Sequence, residues 1–344
     1  MREKAVSIIT ISNSKKDLEK TFDYVVENCE KFQGKWEYII VSAEKASEEE
    51  KTQEVHLKKE KDNIKHIVVR RGGFSIQRNI GVENAKYDII VFIDDGMRLE
   101  ESWLENISKP ILDRKADAVM GAVLPELKPE KDFQKFFENL LALSQSVLGF
   151  PAGGLKYFAL GSRFIDSFST ANLAIKKELI QKVGGFDENL IFGAEDSDLS
   201  LRIKMLKPQA KFLYSKDAIS YAEPRKSVED IKKWFFRRGR SLATLKKKYG
   251  ESFIKTLLPR EIIIPKLVMS FSIFPPLTFS LFSISYLVRS EKLLFDVAKK
   301  IPEKFFPKRY LPFLVFFTPY VKFIMDTYYS FGYYYQLLTQ RIRK

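Results

Sequence analysis

Short apolar runs alternate with more polar stretches along the first 100 residues. Four runs are continuous and rich in β-branched residues, as is typical of strands covered on both faces: Val6–Ile11, Tyr38–Val41, Ile67–Val69 and Ile89–Ile93. The stretches between them have helical spacing or the polar composition of an exposed helix: Asp17–Cys29, Lys45–Glu60 and Ser75–Ala85. This order predicts an α/β fold, with a mainly parallel sheet and helices on both faces.

Ligands of such sheets bind beyond the carboxyl ends of the strands, so we expect residues 70–79 and 94–98 to face a site. Further along the chain, the pattern predicts a glycine-rich loop at Gly149–Gly154. It also predicts four helices: Asp132–Leu148, Ile175–Val183, Asp196–Leu206 and the strongly basic Val228–Tyr249.

The C-terminal third contains two long apolar segments. Leu267–Val288 has 22 residues without a charge, and as a helix it would be roughly 33 Å long, enough for a bilayer core of about 30 Å. Pro275-Pro276 would kink or break that helix. Tyr310–Gln340 is also apolar, although Lys322 and Asp326 interrupt it.

Three arrangements of these segments stay open: spanning helices, a re-entrant or interfacial pair, and a soluble helical hairpin. If both segments crossed a membrane, the basic connector 289–309 would lie outside the cell. That placement conflicts with the preference of basic loops for the cytoplasmic side, whereas a re-entrant or interfacial arrangement does not.

Charge strengthens the contrast between the two parts of the chain. The net charge is +14, yet residues 231–344 hold 22 Lys and Arg against 6 Asp and Glu. Aromatic residues follow the same distribution, since 25 of 47 lie after residue 230. We therefore predict domains at 1–227 and 261–344, joined by a basic helical linker at 228–260 and with the last of them associated with a membrane.

The scarcity of certain residues excludes some classes of site. A single cysteine, Cys29, excludes a disulfide framework and a thiolate zinc cluster, and two histidines exclude a histidine-rich metal site. The apolar run Ala5–Ile11 is too short for a secretory signal, so we expect the N-terminal domain on the cytoplasmic face.

Asp94-Asp95 directly follows the strand Ile89–Ile93. Adjacent carboxylates are costly unless a cation compensates them, and Mg²⁺ or Mn²⁺ bridging to a phosphate is a suitable partner. A solvated acidic turn is the alternative, since Asp-Asp-Gly is also good turn chemistry.

Two further clusters carry candidate chemistry. Arg78 and Asn79 lie near the start of a predicted helix, where a guanidinium could pair with a phosphate, although a lone arginine there is more often a surface residue. Glu195 and Asp196 open another helix, where acids favour the dipole, but a carboxylate there could also take a proton from a hydroxyl.

The order of these motifs resembles glycosyltransferase family 2 on a GT-A fold, over about residues 5–245. The resemblance rests on an opening strand followed by four signatures in the family's order: Gly73-x-Ser-x-x-Arg78-Asn79, Asp94-Asp95, Gly184-Gly-Phe-Asp187 and Glu195-Asp196. Phe168–Lys176 and the basic segment Trp234–Arg240 also look like family segments.

The resemblance implies an inverting enzyme that uses a nucleotide-sugar donor. It implies that Asp95 binds Mg²⁺ or Mn²⁺ on the diphosphate and that Asp94 contacts the ribose. Asp196 would be the general base, and Glu195 would orient the acceptor. The remaining residues that the resemblance places on the donor side are Arg78, Asn79, Ser12 and Glu44.

The sequence departs from the family pattern in three places. Ser42-Ala43-Glu44 replaces an acid pair after the second strand, and Gly96 replaces the last acid of Asp-x-Asp. The third departure is the absence of a histidine after the late strand, where Glu223 could serve as a metal ligand instead.

Three function classes compete. The first is a membrane-bound transferase whose acceptor is lipid-linked or another glycan, in contact with membrane lipid. The second is a non-catalytic membrane scaffold with a degenerate transferase domain, motivated by the missing acids. The third is a nucleic-acid-binding protein, but the basic helix lacks a nucleic-acid fold motif and lies beside apolar segments that fit anionic lipid better, so we expect no nucleic acid.

Overall fold

The computed structural model describes residues 4–43, 62–70, 72–250 and 275–342. The strands are β1 Ala5–Ser12, β2 Lys35–Ala43, β3 Ile64–Val69, β4 Ile89–Ile93, β5 Arg98–Leu99, β6 Ala118–Pro125, β7 Arg163–Ile165, β8 Asn172–Lys176 and β9 Phe212–Ala222. The helices are α1 Lys15–Lys31, α2 Phe74–Asn84, α3 Trp103–Leu112, α4 Phe133–Val147, α5 Gly154–Leu160, α6 Lys177–Lys182, α7 Glu195–Leu206, α8 Val228–Tyr249, α9 Pro275–Lys300 and α10 Leu311–Ile342.

The strands form one mixed sheet in the order β3-β2-β1-β4-β8-β6-β9-β5, with β7 paired to β9. Strands β3, β2, β1 and β4 pair parallel with one another, as the βα alternation predicts. Beyond β4 the pairing becomes antiparallel, beginning with Ile93 opposite Asn172. The prediction of a mainly parallel sheet is therefore wrong for half of the sheet, because a strand buried on both faces has the same composition in either direction.

The predicted helix Ile175–Val183 is also corrected. Its first two residues belong to strand β8, and only Lys177–Lys182 is helical. Leu173, Ala174 and Ile175 are fully buried in the sheet. Because a short apolar run fits a buried strand as well as a helix, tertiary burial decided between them.

Contacts divide the chain into two compact units. The first comprises residues 1–123, 161–191 and 195–222, and the second comprises 124–160, 192–194 and 223–344. These units differ from the predicted boundaries 1–227, 228–260 and 261–344, because 124–160 belongs with the C-terminal helices. A hydrophobic cluster in the second unit joins α4, α8 and α10 through residues such as Leu141, Phe235 and Met325.

Helices α8 and α10 approach each other closely within the second unit. Gly239 of α8 and Gly332 of α10 each face the backbone of the other helix, so that a Cβ at either position would clash with it. The basic helix predicted at Val228–Tyr249 is confirmed, with Ser227 as its N-cap. It packs against α10 within this unit, and the linker bounds 228–260 stay a prediction.

The described part of the C-terminal third contains helices α9 and α10. Helix α9 begins at Pro275, and proline is well tolerated in the first turn, where its missing N–H is not needed. The remainder of Leu267–Val288 before Pro275 lies outside the described residues, as does the helix predicted at Lys45–Glu60. Among the residues that the structure describes, no helix has both the length and the apolar character needed to cross a bilayer.

Candidate active site

The ends of two neighbouring parallel strands bring Ser12 and Asp95 together. Ser12 ends β1, Asp94-Asp95 follows β4, and the Ser12 hydroxyl donates to Asp95 Oδ2 at 2.5 Å. Burial raises the pKa of Asp95 to about 6, and the charge of Asp94 acts in the same direction, against the hydrogen bond from Ser12. This strand end therefore concentrates negative charge that the protein compensates only in part.

Arg78 joins the two acidic motifs of the sequence. Its guanidinium donates to Glu195 Oε1 at 2.6 Å and to Asp94 Oδ1 at 3.1 Å, and the residue is only 4% exposed. The rings of Phe74 and Phe186 lie 5.9 and 5.8 Å from it.

Burial alone would lower the pKa of this guanidinium, but the charges of Glu195 and Asp94, followed by that of Asp196, outweigh burial and raise the pKa. A buried, fixed cation therefore holds the two acidic motifs in one place. The surface-arginine interpretation of Arg78 does not apply.

The three acids at the start of α7 have different environments. Glu195 is buried, which raises its pKa, while Arg78 opposes that rise. Asp198 is fully buried and accepts a hydrogen bond from Arg202 Nε at 2.7 Å. Asp196 is partly exposed, and its Oδ1 accepts from the N–H of Ser197 at 2.7 Å. Of the three carboxylates, that of Asp196 is the one both oriented and accessible to solvent.

Asn79 holds the loop Gly184–Asp187 against helix α2. Its Nδ2 donates to the carbonyl of Phe186 at 3.0 Å, and its Oδ1 accepts from the N–H of Phe186 at 2.8 Å. The loop requires glycine at Gly185, where φ is +77° and a Cβ would lie 2.7 Å from Asn79 Oδ1. This two-sided contact explains why the two motifs occur together, and it keeps Phe186 beside Arg78.

The sequence analysis did not predict a role for Gln77. This residue precedes Arg78 in α2 and is fully buried. Its Nε2 donates to the carbonyls of Ser12 at 3.3 Å and Val41 at 3.0 Å. It thereby fixes the ends of β1 and β2 relative to α2. A glutamine inside a helical pattern gives no sequence signal for this role, because its partners are main-chain carbonyls of distant strands.

Asn172 lies within the segment Phe168–Lys176 and is also fully buried. Its Nδ2 donates to the carbonyls of Ala122 and Ala218, both at 3.0 Å, and its Oδ1 accepts from Trp103 Nε1 at 2.8 Å. Asn172 lies opposite Ile93 in the sheet. It therefore helps fix the end of β4 from which Asp94 and Asp95 project.

The oxygen donors at the end of β4 fit a hard divalent cation in their chemistry. Asp95 is a partly compensated carboxylate with a second carboxylate, Asp94, beside it in sequence. Mg²⁺ is commonly held by one or two carboxylates together with substrate phosphates. In the described part of the chain, no group of three or more His, Cys, Asp or Glu is arranged to hold a metal ion. Phosphate oxygens would have to complete such a site.

Two predicted site residues, Glu44 and Glu223, are not among the described residues that meet at the strand ends. Glu44 falls outside the described residues. Glu223 belongs to the second unit, where its carboxylate pairs with Lys226 at 2.6 Å and Lys128 at 3.4 Å. Its assignment as a metal ligand stays a prediction.

Comparisons with known proteins point to one class of enzyme. Residues 7–152 match the family model "Glycosyl transferase family 2". Polypeptide N-acetylgalactosaminyltransferase 8 of Drosophila melanogaster is 26% identical over 144 residues, which is 38% of this chain. The aligned segment spans only 23% of that relative's length.

Among solved structures, a similar fold is that of a mannosyltransferase from Pyrobaculum calidifontis, in complex with GDP-Man and Mn²⁺. The alignment with it has a TM-score of 0.51 at 16% identity and covers 95% of this chain and 87% of the other. TarS of S. aureus, residues 1–349, aligns with a TM-score of 0.46 at 15% identity, over 97% of this chain and 92% of the other. The mixed sheet with helices on both sides matches a GT-A fold. The match of residues 7–152 to the glycosyl transferase family 2 model, together with the Drosophila relative, supports a glycosyltransferase.

Proposed function

We propose that this protein is an inverting, divalent-metal-dependent glycosyltransferase that moves a sugar from a nucleotide-diphosphate sugar to a hydroxyl or phosphate acceptor. The observation that carries the proposal is the buried Arg78, which joins Asp94 and Glu195 in one network. The donor-side and acceptor-side acids of the family pattern thereby meet in one unit of the fold. A solvated acidic turn would not need such a buried counter-charge.

Asp196 supplies the base in this proposal. The N–H of Ser197 orients its Oδ1, while Oδ2 accepts no hydrogen bond from any described residue. That oxygen is free to take the proton of an acceptor hydroxyl as the new glycosidic bond forms. Attack from the face opposite the leaving nucleotide breaks the donor bond in a single displacement and inverts the anomeric centre.

Glu195 and Arg78 position the base. Their 2.6 Å ion pair fixes the first residue of α7, and Asp196 is the next residue along that helix. Asp95, with Asp94 beside it, would hold Mg²⁺ or Mn²⁺. Such an ion stabilises the negative charge of a departing nucleoside diphosphate when it is bound.

A direct test is a panel of UDP- and GDP-sugars incubated with the full chain, Mn²⁺ and membrane lipid extract. We expect one donor to be consumed with release of its nucleoside diphosphate, and we expect EDTA to abolish that release because the diphosphate charge would lose its counter-ion. Neither nucleoside diphosphate binding nor turnover with any donor would instead favour the non-catalytic scaffold.

We further propose that the C-terminal helices attach the enzyme to the surface of a membrane, with the catalytic domain on the cytoplasmic face. Every exposed residue of α10 from Leu311 to Gln340 is apolar, aromatic or proline, in contrast to the polar outer face of an ordinary surface helix. The large exposed side chains are Phe313, Phe316, Tyr320, Phe323, Phe331, Tyr335 and Leu338.

Exposed residues of α9 and the segment after it add charge to this aromatic face. Arg289, Lys292 and Lys299 are exposed on α9, and Arg309 is exposed just before α10. Aromatic side chains with basic neighbours favour an anionic membrane interface. A catalytic domain held there could reach a lipid-linked acceptor, which is the class of acceptor that we propose.

The aromatic face is testable without truncation, which would remove α10 and expose the core of α8. We expect Phe316→Ser/Phe323→Ser to weaken binding to anionic vesicles at least about tenfold, because burying a phenylalanine contributes about 1.5–3 kcal/mol. The measurement is vesicle co-sedimentation. A matched control, Phe164→Ser/Met205→Ser, removes exposed apolar side chains from the first unit and should change binding little. Equal losses in both variants would contradict the assignment.

A further inference from the structure

Two arginines of the second unit pack on one indole ring. The guanidinium carbon of Arg225 lies 4.1 Å from the ring centre of Trp234, and that of Arg238 lies 4.9 Å from it. Trp234 and Arg238 are four residues apart on α8, so they lie on the same face of the helix. Arg225 comes from the segment before that helix.

This arrangement brings the positive charges of Arg225 and Arg238 together on one ring. In the described residues, no carboxylate forms an ion pair with Arg225 or Arg238, whereas the nearby Glu223 is paired with Lys128 and Lys226. Burial, followed by the charges of Arg237 and Arg238, lowers the pKa of Arg225 to about 10, against a weaker opposite effect of Asp230.

Packing holds the arginines where their mutual repulsion would otherwise separate them. The buried side chain of Gln145 donates to the carbonyl of Arg225 at 3.1 Å. The edge-on ring of Phe150 packs 4.9 Å from Trp234 and also lies 5.7 Å from Arg238. A cation–π contact requires only one guanidinium on a ring. The N–H groups of the two guanidiniums on Trp234 can therefore donate to an anion.

We propose that Arg225 and Arg238, supported by Trp234, form a binding site for a phosphate group. A guanidinium donates in a planar fork that matches phosphate oxygens, and two of them balance a doubly charged phosphomonoester. All the side chains involved belong to the second unit, whereas Arg78 and Asp95 belong to the first. The phosphate is therefore bound by residues other than those that we assign to the donor.

In the proposed function, the bound group would be the phosphate of the acceptor, and this role rests on that proposed function. Two sources share this chemistry: the headgroup of a lipid phosphate and a free phosphate or diphosphate. The aromatic face of α10, in the same unit, favours the lipid. Phosphate binding itself can be measured without any transfer reaction.

The test uses the full chain with vesicles of phosphatidylcholine containing either phosphatidic acid or charge-matched phosphatidylserine. We expect Arg225→Gln/Arg238→Gln to weaken binding to phosphatidic acid vesicles at least about tenfold, because two forked donors are lost. Binding to phosphatidylserine vesicles should change far less. The matched control is Lys233→Gln/Lys247→Gln, which removes two exposed charges from the same helix and should retain the preference for phosphatidic acid.

Competition with inorganic pyrophosphate distinguishes the sources. Displacement from the vesicles by soluble pyrophosphate supports the site with a free phosphate as its ligand, and resistance to displacement supports a lipid phosphate. An equal loss in the lysine control would overturn the proposal, since charge of the helix alone would then explain binding. Unchanged binding of the arginine variant would overturn it as well.

Should the glutamine variant fail to fold, Arg225→Lys/Arg238→Lys decides the matter. It keeps the charge and removes only the fork, so undiminished preference for phosphatidic acid would overturn the proposal. Failure of the proposed function would be seen separately, as an absence of Mn²⁺-dependent nucleoside diphosphate binding by the unmodified chain.

Discussion

Asp196→Asn is expected to lower turnover by roughly 10²–10⁴-fold while leaving donor affinity unchanged, because it removes the general base alone. The asparagine keeps the size of the side chain and can still accept from Ser197 N–H through its amide oxygen. Asparagine cannot take a proton from the acceptor hydroxyl. Single-turnover rates and equilibrium donor binding, measured on the same preparation, separate the two effects.

The two acids beside Asp196 in α7 each pair with an arginine, so neither is expected to replace Asp196 as the base. Glu195 is committed to Arg78, and Asp198 is committed to Arg202. A control variant, Asp166→Asn, removes an exposed carboxylate elsewhere in the same unit and should keep turnover. Near wild-type turnover in Asp196→Asn would mean that another carboxylate is the base.

Asp95→Asn is expected to abolish the dependence of donor binding on Mn²⁺. Loss of a charged ligand should weaken Mn²⁺-dependent binding of the nucleoside diphosphate by at least about 10–100-fold, since even residues that only support a ligand contribute that much. The fold should persist, because an asparagine side chain can still accept the hydrogen bond from Ser12. Calorimetric titration of GDP and UDP, with and without Mn²⁺, measures the effect.

Asp113→Asn is the matched control for this loss, since the ion pairs of Asp113 with described residues are with exposed lysines of the same unit. Its donor binding should equal that of the unmodified chain. Unchanged Mn²⁺-dependent binding in Asp95→Asn would remove Asp95 from the metal site. Loss of binding without Mn²⁺ as well would show that the substitution disturbs the strand end and not the ion.

Sequence periodicity determined several local elements of both units well. Strand β4 at Ile89–Ile93 and helix α8 at Val228–Tyr249 have the predicted bounds. Their patterns carry the physical signal directly: five consecutive apolar residues fill the sheet interior, while Ser227 and Gly250 cap the helix. The direction of a strand has no comparable signal in the sequence. The sequence therefore did not predict β8 or the antiparallel half of the sheet.

Some residues of the candidate site could likewise be predicted from the sequence, and others could not. Asp94, Asp95, Glu195 and Asp196 could be found from the sequence, because acids at the end of a strand or the start of a helix are unusual enough to need an explanation. Gln77 could not be found, since it acts through carbonyls of two strands that only the fold brings within reach. The same holds for the double contact of Asn79 with Phe186.

What the sequence by itself determined is therefore the set of chemically active groups and the basic, aromatic character of the C-terminal third. Only the tertiary structure decided how those groups are used. It buried Arg78 between two acids 117 and 16 residues away in the chain, and it packed 124–160 with the C-terminal helices. The physical reason is that burial and long-range pairing depend on which surfaces meet, whereas periodicity records only which face of each element is apolar.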